Sequence, residues 1–239
     1  MIEAVTFDFW NTLCFEDRGH LRGRRLAAWS GLLEEAGFGV ERERLDRAFD
    51  ASWERFVARW TAGEQFAYAE AAEEILEDLG FTVPGDVRDA LVEAFGRAAD
   101  DAEIHLAPNA APALRALKAA GLRLGIVCDV GMTPSPALRA HLDRHGVLEL
   151  FDHWSFSDEV GHYKPAREIF EHALAGLGAV PGRTAHVGDL RRTDVAGAIA
   201  MGMTAIRYHG IHDDDSQPEP EGHHVVGDHA DLPALLRTA

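Results

Sequence analysis

Ala4-Val5-Thr6-Phe7-Asp8-Phe9-Trp10-Asn11-Thr12-Leu13 is the stretch on which the reading of this chain turns. It opens as a short apolar, partly β-branched run of the kind that forms a strand buried on both faces of a parallel sheet. Asp8 arrives where that strand should end, and open α/β sheets bind ligands at the carboxyl ends of their strands. Taken alone, the pattern fits a turn or capping Asp as well as a functional one. The rest of the chain has to decide.

With 239 residues the chain has room for one large α/β domain, or for a core and a smaller accessory domain. An apolar content of 46% supports a packed core. No stretch is long and apolar enough to span a membrane, and the start lacks a basic-then-apolar leader, so a cytoplasmic enzyme is the expectation. Cys14 and Cys128 are the only cysteines, too few for a disulfide framework or a paired-cysteine zinc site. A net charge of -17 disfavours nucleic acid and anionic membranes as partners. A small anionic substrate stays compatible with it, because local cations decide that. The thirteen histidines are scattered. The run from His209 through Asp213, Asp214 and Asp215 reads as a solvated loop rather than a metal site.

After Leu13 a helical period runs for some ninety residues. Leu26, Trp29, Leu33 and Ala36 mark a first helix, stopped at Gly37. A second carries Leu45, Phe49, Trp53, Phe56, Val57 and Trp60, an aromatic stripe that reads as bundle core. Ala72, Ile75, Leu76 and Leu79 mark a third, closed by Gly80-Phe81, and Val87, Leu91, Phe95 and Ala98 a fourth, entered through Pro84-Gly85-Asp86. Four consecutive amphipathic helices predict a small bundle inserted after the first strand. From Pro108 the pattern alternates. Strands are predicted over 122–127, 153–156, 184–187 and 203–208, with a last short one at Val225-Val226. Helices are predicted through Leu114 and Leu117, over 136–145, from Pro165 to Leu177, over 194–201 and over 232–236. Such alternation predicts an α/β fold, a doubly wound, mostly parallel sheet. Neither a Gly-x-Gly-x-x-Gly fingerprint nor a P-loop is present.

In such a sheet the residues just past the strand ends converge on one crevice. Here they are Asp8, Cys128-Asp129, Asp158 with Lys164 in the following loop, and Gly188-Asp189, with Asp194 in the first turn of the next helix. Carboxylates that close repel unless a cation sits among them, and hard oxygen ligands suit Mg²⁺. A lysine beside a divalent cation suits a phosphoryl group.

Asp8-Phe9-Trp10-Asn11-Thr12-Leu13, Val127-Cys128-Asp129, Lys164-Pro165 and Gly188-Asp189-x-x-x-x-Asp194 resemble, in order, the four motifs of the haloacid dehalogenase-like (HAD) hydrolase superfamily. The stretch from Ser157 to Pro165 is the most specific piece after the first motif. The resemblance implies a Rossmannoid HAD-like core from residues 1–15 and 104–239 and a helical cap from residues 16–103. It implies Asp8 as the nucleophile that forms an aspartyl intermediate, typically an aspartyl-phosphate. Mg²⁺ would be held by Asp8, the Trp10 main-chain carbonyl and Asp189, with Asp194 ligating through water or orienting the ligands. Lys164 would pair with Asp8 and the transferring phosphoryl group, while Thr12, Cys128 and Asp129 would lie at the phosphate position.

Three positions depart from the family pattern. Phosphatases of the family carry a second Asp where this chain has Trp10, and indole cannot deliver a proton near neutral pH. Losing a general acid costs about 10²–10⁴-fold. Glu16, Asp17, His20 or Asp129 could replace it, the leaving group could need no acid, or the protein could be a catalytically weak binding or regulatory member. An aromatic at this position also resembles the dehalogenase branch, which displaces halide without metal; that branch generally lacks the acidic ligand that Asp189 provides here. Cys128 stands where Ser or Thr is usual and Asn11 where Gly is usual, the latter mild because Asn tolerates left-handed backbone. The reading is therefore a Mg²⁺-dependent phosphatase of a small phosphorylated metabolite, with dehalogenase second, in a monomer or homodimer.

Overall fold

The computed structural model describes residues 1–80, 82–216 and 218–238. Along the chain the elements are β1 (Ala4–Phe7), β2 (Cys14–Glu16), α1 (His20–Glu35), α2 (Arg42–Ala62), α3 (Tyr68–Leu79), α4 (Gly85–Arg97) and β3 (Ile104–Leu106). There follow α5 (Ala110–Ala119), β4 (Arg123–Cys128), α6 (Ser135–Arg144), β5 (His153–Phe156), α7 (Ser157–Val160), α8 (Arg167–Leu177) and β6 (Thr184–Gly188). After a π-helical turn, Arg191–Val195, come α9 (Ala196–Ala200), β7 (Thr204–Tyr208), β8 (His224–Val226) and α10 (Leu232–Thr238).

Two units emerge. The first comprises Met1–Phe15, Ile104–Asp129 and Leu142–Ala239, the second Glu16–Glu103 and Val130–His141. In the first unit six parallel strands run in the order β5-β4-β1-β6-β7-β8. β1 is central because all four of its residues are buried, as the unbroken run Ala-Val-Thr-Phe requires. The chain leaves β1 toward β4 on one side and returns through β6 on the other, so strand order reverses there. The crevice at a reversal opens at the carboxyl ends, where Asp8, Asp129 and Asp189 follow β1, β4 and β6. Ile169, Phe170 and Ala173 of α8, with Val195 and Ala198, pack against Val127 and Ala205 on one sheet face.

The second unit is a helical bundle around Leu26, Trp29, Leu45, Phe49, Ile75, Leu79, Leu91 and Phe95. Trp29 meets Phe49 and Phe95 edge-on, with ring centroids 5.5 and 6.1 Å apart, and its indole N–H donates to the Leu91 carbonyl at 3.0 Å. Residues 130–141 belong to this unit, although the sequence pattern assigns only residues 16–103 to it. Gly131 explains part of this: a Cβ there would stand 2.6 Å from the Phe56 ring, so the glycine allows the close approach.

Several sequence expectations need correcting. The α2 stripe is core only in part: Trp53 is 55% and Val57 36% exposed. By helix geometry these two lie roughly 80–120° around the axis from Leu45, beyond the buried face. The β2–β3 pair was not predicted, because strands this short carry no readable alternation. Pro165 does not open a helix: the Lys164-Pro165 bond is cis, Ala166 caps α8, and a separate turn, α7, precedes them. The 209–215 loop is solvated as expected, with His209, His212, Asp213 and Asp215 exposed, but it is tied down at two points. Arg207 binds Asp213 and Glu221, and the Arg191 backbone N–H donates to Asp214. Gly80 closes α3 with left-handed backbone, whereas Phe81, read with it as the helix stop, lies outside the described residues.

Candidate active site

Asp8 is set by its strand: its backbone N–H donates to the Val187 carbonyl at 2.9 Å, which extends the β1–β6 ladder to the last residue before the chain turns. The turn is then closed on itself. The Leu13 and Cys14 N–H groups both donate to the Phe9 carbonyl, at 2.9 and 2.8 Å, and the Asn11 N–H donates to the Cys14 carbonyl at 2.7 Å. Asn11 sits at φ 55, left-handed backbone that Asn accepts at low cost.

Lys164 reaches this turn from the far side of β4. Its Nζ donates to Asp8 Oδ1 at 2.5 Å and to Asp194 Oδ1 at 2.7 Å, and the side chain is buried. Asp129 positions it: the Lys164 backbone N–H donates to Asp129 Oδ1 at 2.8 Å. That bond gives Asp129 a positioning task beside the phosphate contact expected of it.

Asp194 is the most heavily bonded carboxylate of the cluster. Beyond Lys164, its Oδ1 accepts from His186 Nε2 at 3.0 Å, while Oδ2 accepts from the Leu190 N–H at 3.1 Å and the Thr193 hydroxyl at 3.3 Å. Four donors match the four lone-pair sites of a carboxylate. Asp194 therefore holds Lys164, and with its lone pairs spent on these donors the bonding fits the orienting role of the two expected for it. Gly188 makes room for it, since a Cβ there would lie 2.2 Å from Asp194 Cγ. The π-helical turn at Arg191–Val195 sends both the Asp194 and Val195 N–H groups to the Leu190 carbonyl, which places Asp194 under Gly188.

Asp189 stands apart from this network. Its Oδ2 is buried and has no hydrogen-bond partner among the described residues, yet one oxygen each of Asp8, Asp189 and Asp194 lie within 4.8 Å of one another. Three carboxylates against a single lysine leave the pocket short of positive charge. Burial, with Lys164 opposing and Asp194 adding, pushes Asp8 up to about 7. Burial and the neighbouring Asp8 and Asp194 push Asp189 well up too. Asp194 goes the other way: burial works to raise it, but Lys164 and His186 outweigh that and hold it low. Burial alone would lower Lys164, yet Asp194 and Asp8 keep it firmly charged. An orphaned carboxylate oxygen in an all-oxygen cluster is the donor set that a hard divalent cation such as Mg²⁺ fills.

The other predicted residues divide. Thr12 is fully buried beside Asp8 in sequence, with its hydroxyl unpartnered among the described residues. Cys128 is fully buried, and burial and the neighbouring Asp8 drive its thiol well up, which disfavours the thiolate form. Trp10 is partly exposed, with its ring 5.0 Å from Phe9. Asp158 lies exposed on α7, outside the carboxylate cluster. Two of the proposed replacement acids carry structural bonds within the helical unit: Glu16 caps α1 by accepting the Leu21 N–H at 2.6 Å, and His20 Nε2 accepts the Glu103 N–H at 3.2 Å. Sequence reasoning missed His186. It is 1% exposed and directly opposite Thr6 in the β1–β6 register, with Nδ1 2.8 Å from the Thr6 hydroxyl. Two polar residues facing each other in otherwise apolar strands are a signal, but only once the pairing of β1 with β6 is known.

The Asp8–Lys164 pair thus sits at the strand-order reversal, where open α/β sheets bind their ligands. The chain belongs to the haloacid dehalogenase-like hydrolase family, whose profile matches residues 2–202. It is similar to the glyceraldehyde 3-phosphate phosphatase of Methanothermobacter thermautotrophicus, 30% identical over 86% of this chain and 85% of that one. It is also 30% identical to the ribulose-1,5-bisphosphate 5-phosphatase of Halopiger xanaduensis, over 90% of this chain and 88% of that one. The fold is shared with the 2-haloacid dehalogenase of Pseudomonas syringae at a TM-score of 0.71, 24% identity and full coverage of both chains.

Proposed function

We propose that this protein is a Mg²⁺-dependent phosphatase of a small phosphorylated metabolite, sugar phosphates of the kind named for its relatives being the first class to test. The observation that carries it is the pairing of Asp8 with Lys164 beside the unpartnered Asp189 oxygen. A dehalogenase has no use for that third carboxylate. The cation would be held by Asp8, Asp189 and the Trp10 main-chain carbonyl, and would supply neutralisation of phosphoryl charge.

The chain's own residues do the following. An Asp8 carboxylate oxygen forms a bond to phosphorus while the ester P–O bond breaks, and the leaving oxygen departs with its electron pair. Lys164 favours the ionised form of Asp8, keeps it in line and balances the charge on the phosphoryl oxygens. Water then attacks phosphorus in the aspartyl-phosphate, releasing inorganic phosphate and restoring the Asp8 carboxylate. Asp194, tied to His186 and Lys164, keeps the ammonium aimed at Asp8 throughout.

Trp10 cannot protonate the leaving oxygen. Turnover should therefore favour leaving groups that depart as stable anions. The test is a series of aryl phosphates with and without Mg²⁺, beside halide release from a short 2-haloacid. Mg²⁺-dependent phosphate release whose rate falls steeply with leaving-group pKa is expected. Halide release without metal would overturn the phosphatase reading, and a flat leaving-group dependence would show that another acid has replaced the missing one.

A further inference from the structure

His229 is 1% exposed, and its Nε2 lies 2.8 Å from the Thr12 carbonyl oxygen. A carbonyl only accepts, so Nε2 carries the proton and donates it, which fixes the tautomer. Burial pushes this imidazole below its ordinary range, so the ring is neutral near pH 7. It stacks on Tyr208 with centroids 4.3 Å apart and faces Phe7, the residue before Asp8, at 6.4 Å. Its place in the chain is secured from both sides. Asp228 accepts the Ala230 N–H at 2.8 Å, and the Asn109 side-chain amide donates to both Asp228 oxygens at 3.0 and 2.9 Å.

Thr12 belongs to the closed turn that follows Asp8. The bonds within that turn use the Phe9 and Cys14 carbonyls, and the Leu13 carbonyl accepts from the Ala107 N–H at 2.8 Å. The Thr12 carbonyl is satisfied instead from 217 residues away, by His229. Without that donor a buried acceptor is stranded, and the turn must shift to find another. We propose that His229 is a positioning residue for the nucleophile turn: by donating to the Thr12 carbonyl it holds the loop from which Asp8 acts. A segment beyond the family match at residues 2–202 thus takes part in the geometry of the site. The catalytic half of this proposal rests on Asp8 being the nucleophile; the structural half does not.

The experiment compares His229→Leu, which removes the donor at similar bulk, with His229→Gln, which restores one. His141→Leu is the control, because His141 is equally buried and its Nε2 donates to the Ala99 carbonyl at 2.8 Å within the helical unit. Amide hydrogen exchange over residues 9–14, kcat and KM on an aryl phosphate, and Tm are measured for each. In His229→Leu, exchange over residues 9–14 should rise at least about 10-fold and kcat fall about 10–100-fold, with KM within about twofold, since misplacement acts on the chemical step. His229→Gln should recover most of both. His141→Leu should lose Tm without changing that exchange or kcat. Unchanged exchange in His229→Leu, no rescue by Gln, or an equal loss of kcat in His141→Leu would each overturn the proposal. Should the wild type hydrolyse no aryl phosphate, the phosphatase reading fails on its own, and the exchange comparison still decides whether His229 holds the turn.

Discussion

Replacing Asp8 with Asn should abolish turnover and, in metal-free protein at pH 8, raise stability. The sign follows from burial. A carboxyl moved from 3.8 to about 7 has its ionised form disfavoured in the fold by about 4 kcal/mol. Because the folded-state value is the higher one, the native state binds the extra proton between these limits, and stability is lost as pH rises from about 4 through about 7. Asn carries no charge and escapes that penalty. It still accepts from Lys164, which also keeps Asp194 at 2.7 Å, and the value of about 7 already includes the attraction of Lys164 for the anion. The gain is about 4 kcal/mol, or about 8–16 °C in Tm for a chain of this size. The assay is a set of thermal melts of wild type and Asp8→Asn in EDTA from pH 5 to pH 8. The gain should be full at pH 8 and shrink steadily toward pH 5, vanishing only near pH 4, where the unfolded carboxyl is protonated as well. Saturating Mg²⁺ should close the gap by stabilising the wild type more. A variant less stable than wild type at pH 8, or a gain independent of pH, would refute the view that the site is short of positive charge.

Two further outcomes follow from the same geometry. Asp189→Asn should remove the unpartnered charge, raise metal-free stability at pH 8 and eliminate the Mg²⁺-induced rise in Tm, while kcat falls at least about 10²-fold; a persisting Mg²⁺ shift in melts would place the cation elsewhere. Gly188→Ala should cost about 1–3 kcal/mol and most activity, because the new methyl meets Asp194 Cγ and that carboxylate is tied on four sides; a folded, fully active variant would show that Asp194 can move freely.

Much of this molecule was legible in its residues. The apolar runs, the glycine stops and the 3.6-residue period mark the helices and the parallel strands, because burial on one or both faces writes its period directly into the side chains. The same logic puts Asp8, Asp129 and Asp189 at strand ends, and the spacing from Asp189 to Asp194 is a local property of one turn. What the chain could not show is which lone pair each carboxylate spends on which donor. The residues do not say that one Asp129 oxygen accepts from the Lys164 backbone, nor that Asp194 gathers four donors. Trp53 reads as core by period and is exposed, since period gives a face and only packing decides how wide that face is. His186 and His229 were invisible for a simpler reason. Their partners, Thr6 and Thr12, lie 180 and 217 residues away, and only the pairing of β1 with β6 and the return of the C-terminal segment bring them together. Sequence alone determined the elements and the kinds of group at the strand ends; tertiary structure decided which carboxylate oxygen is left unpartnered, because the donors that pair the others come from distant strands and loops.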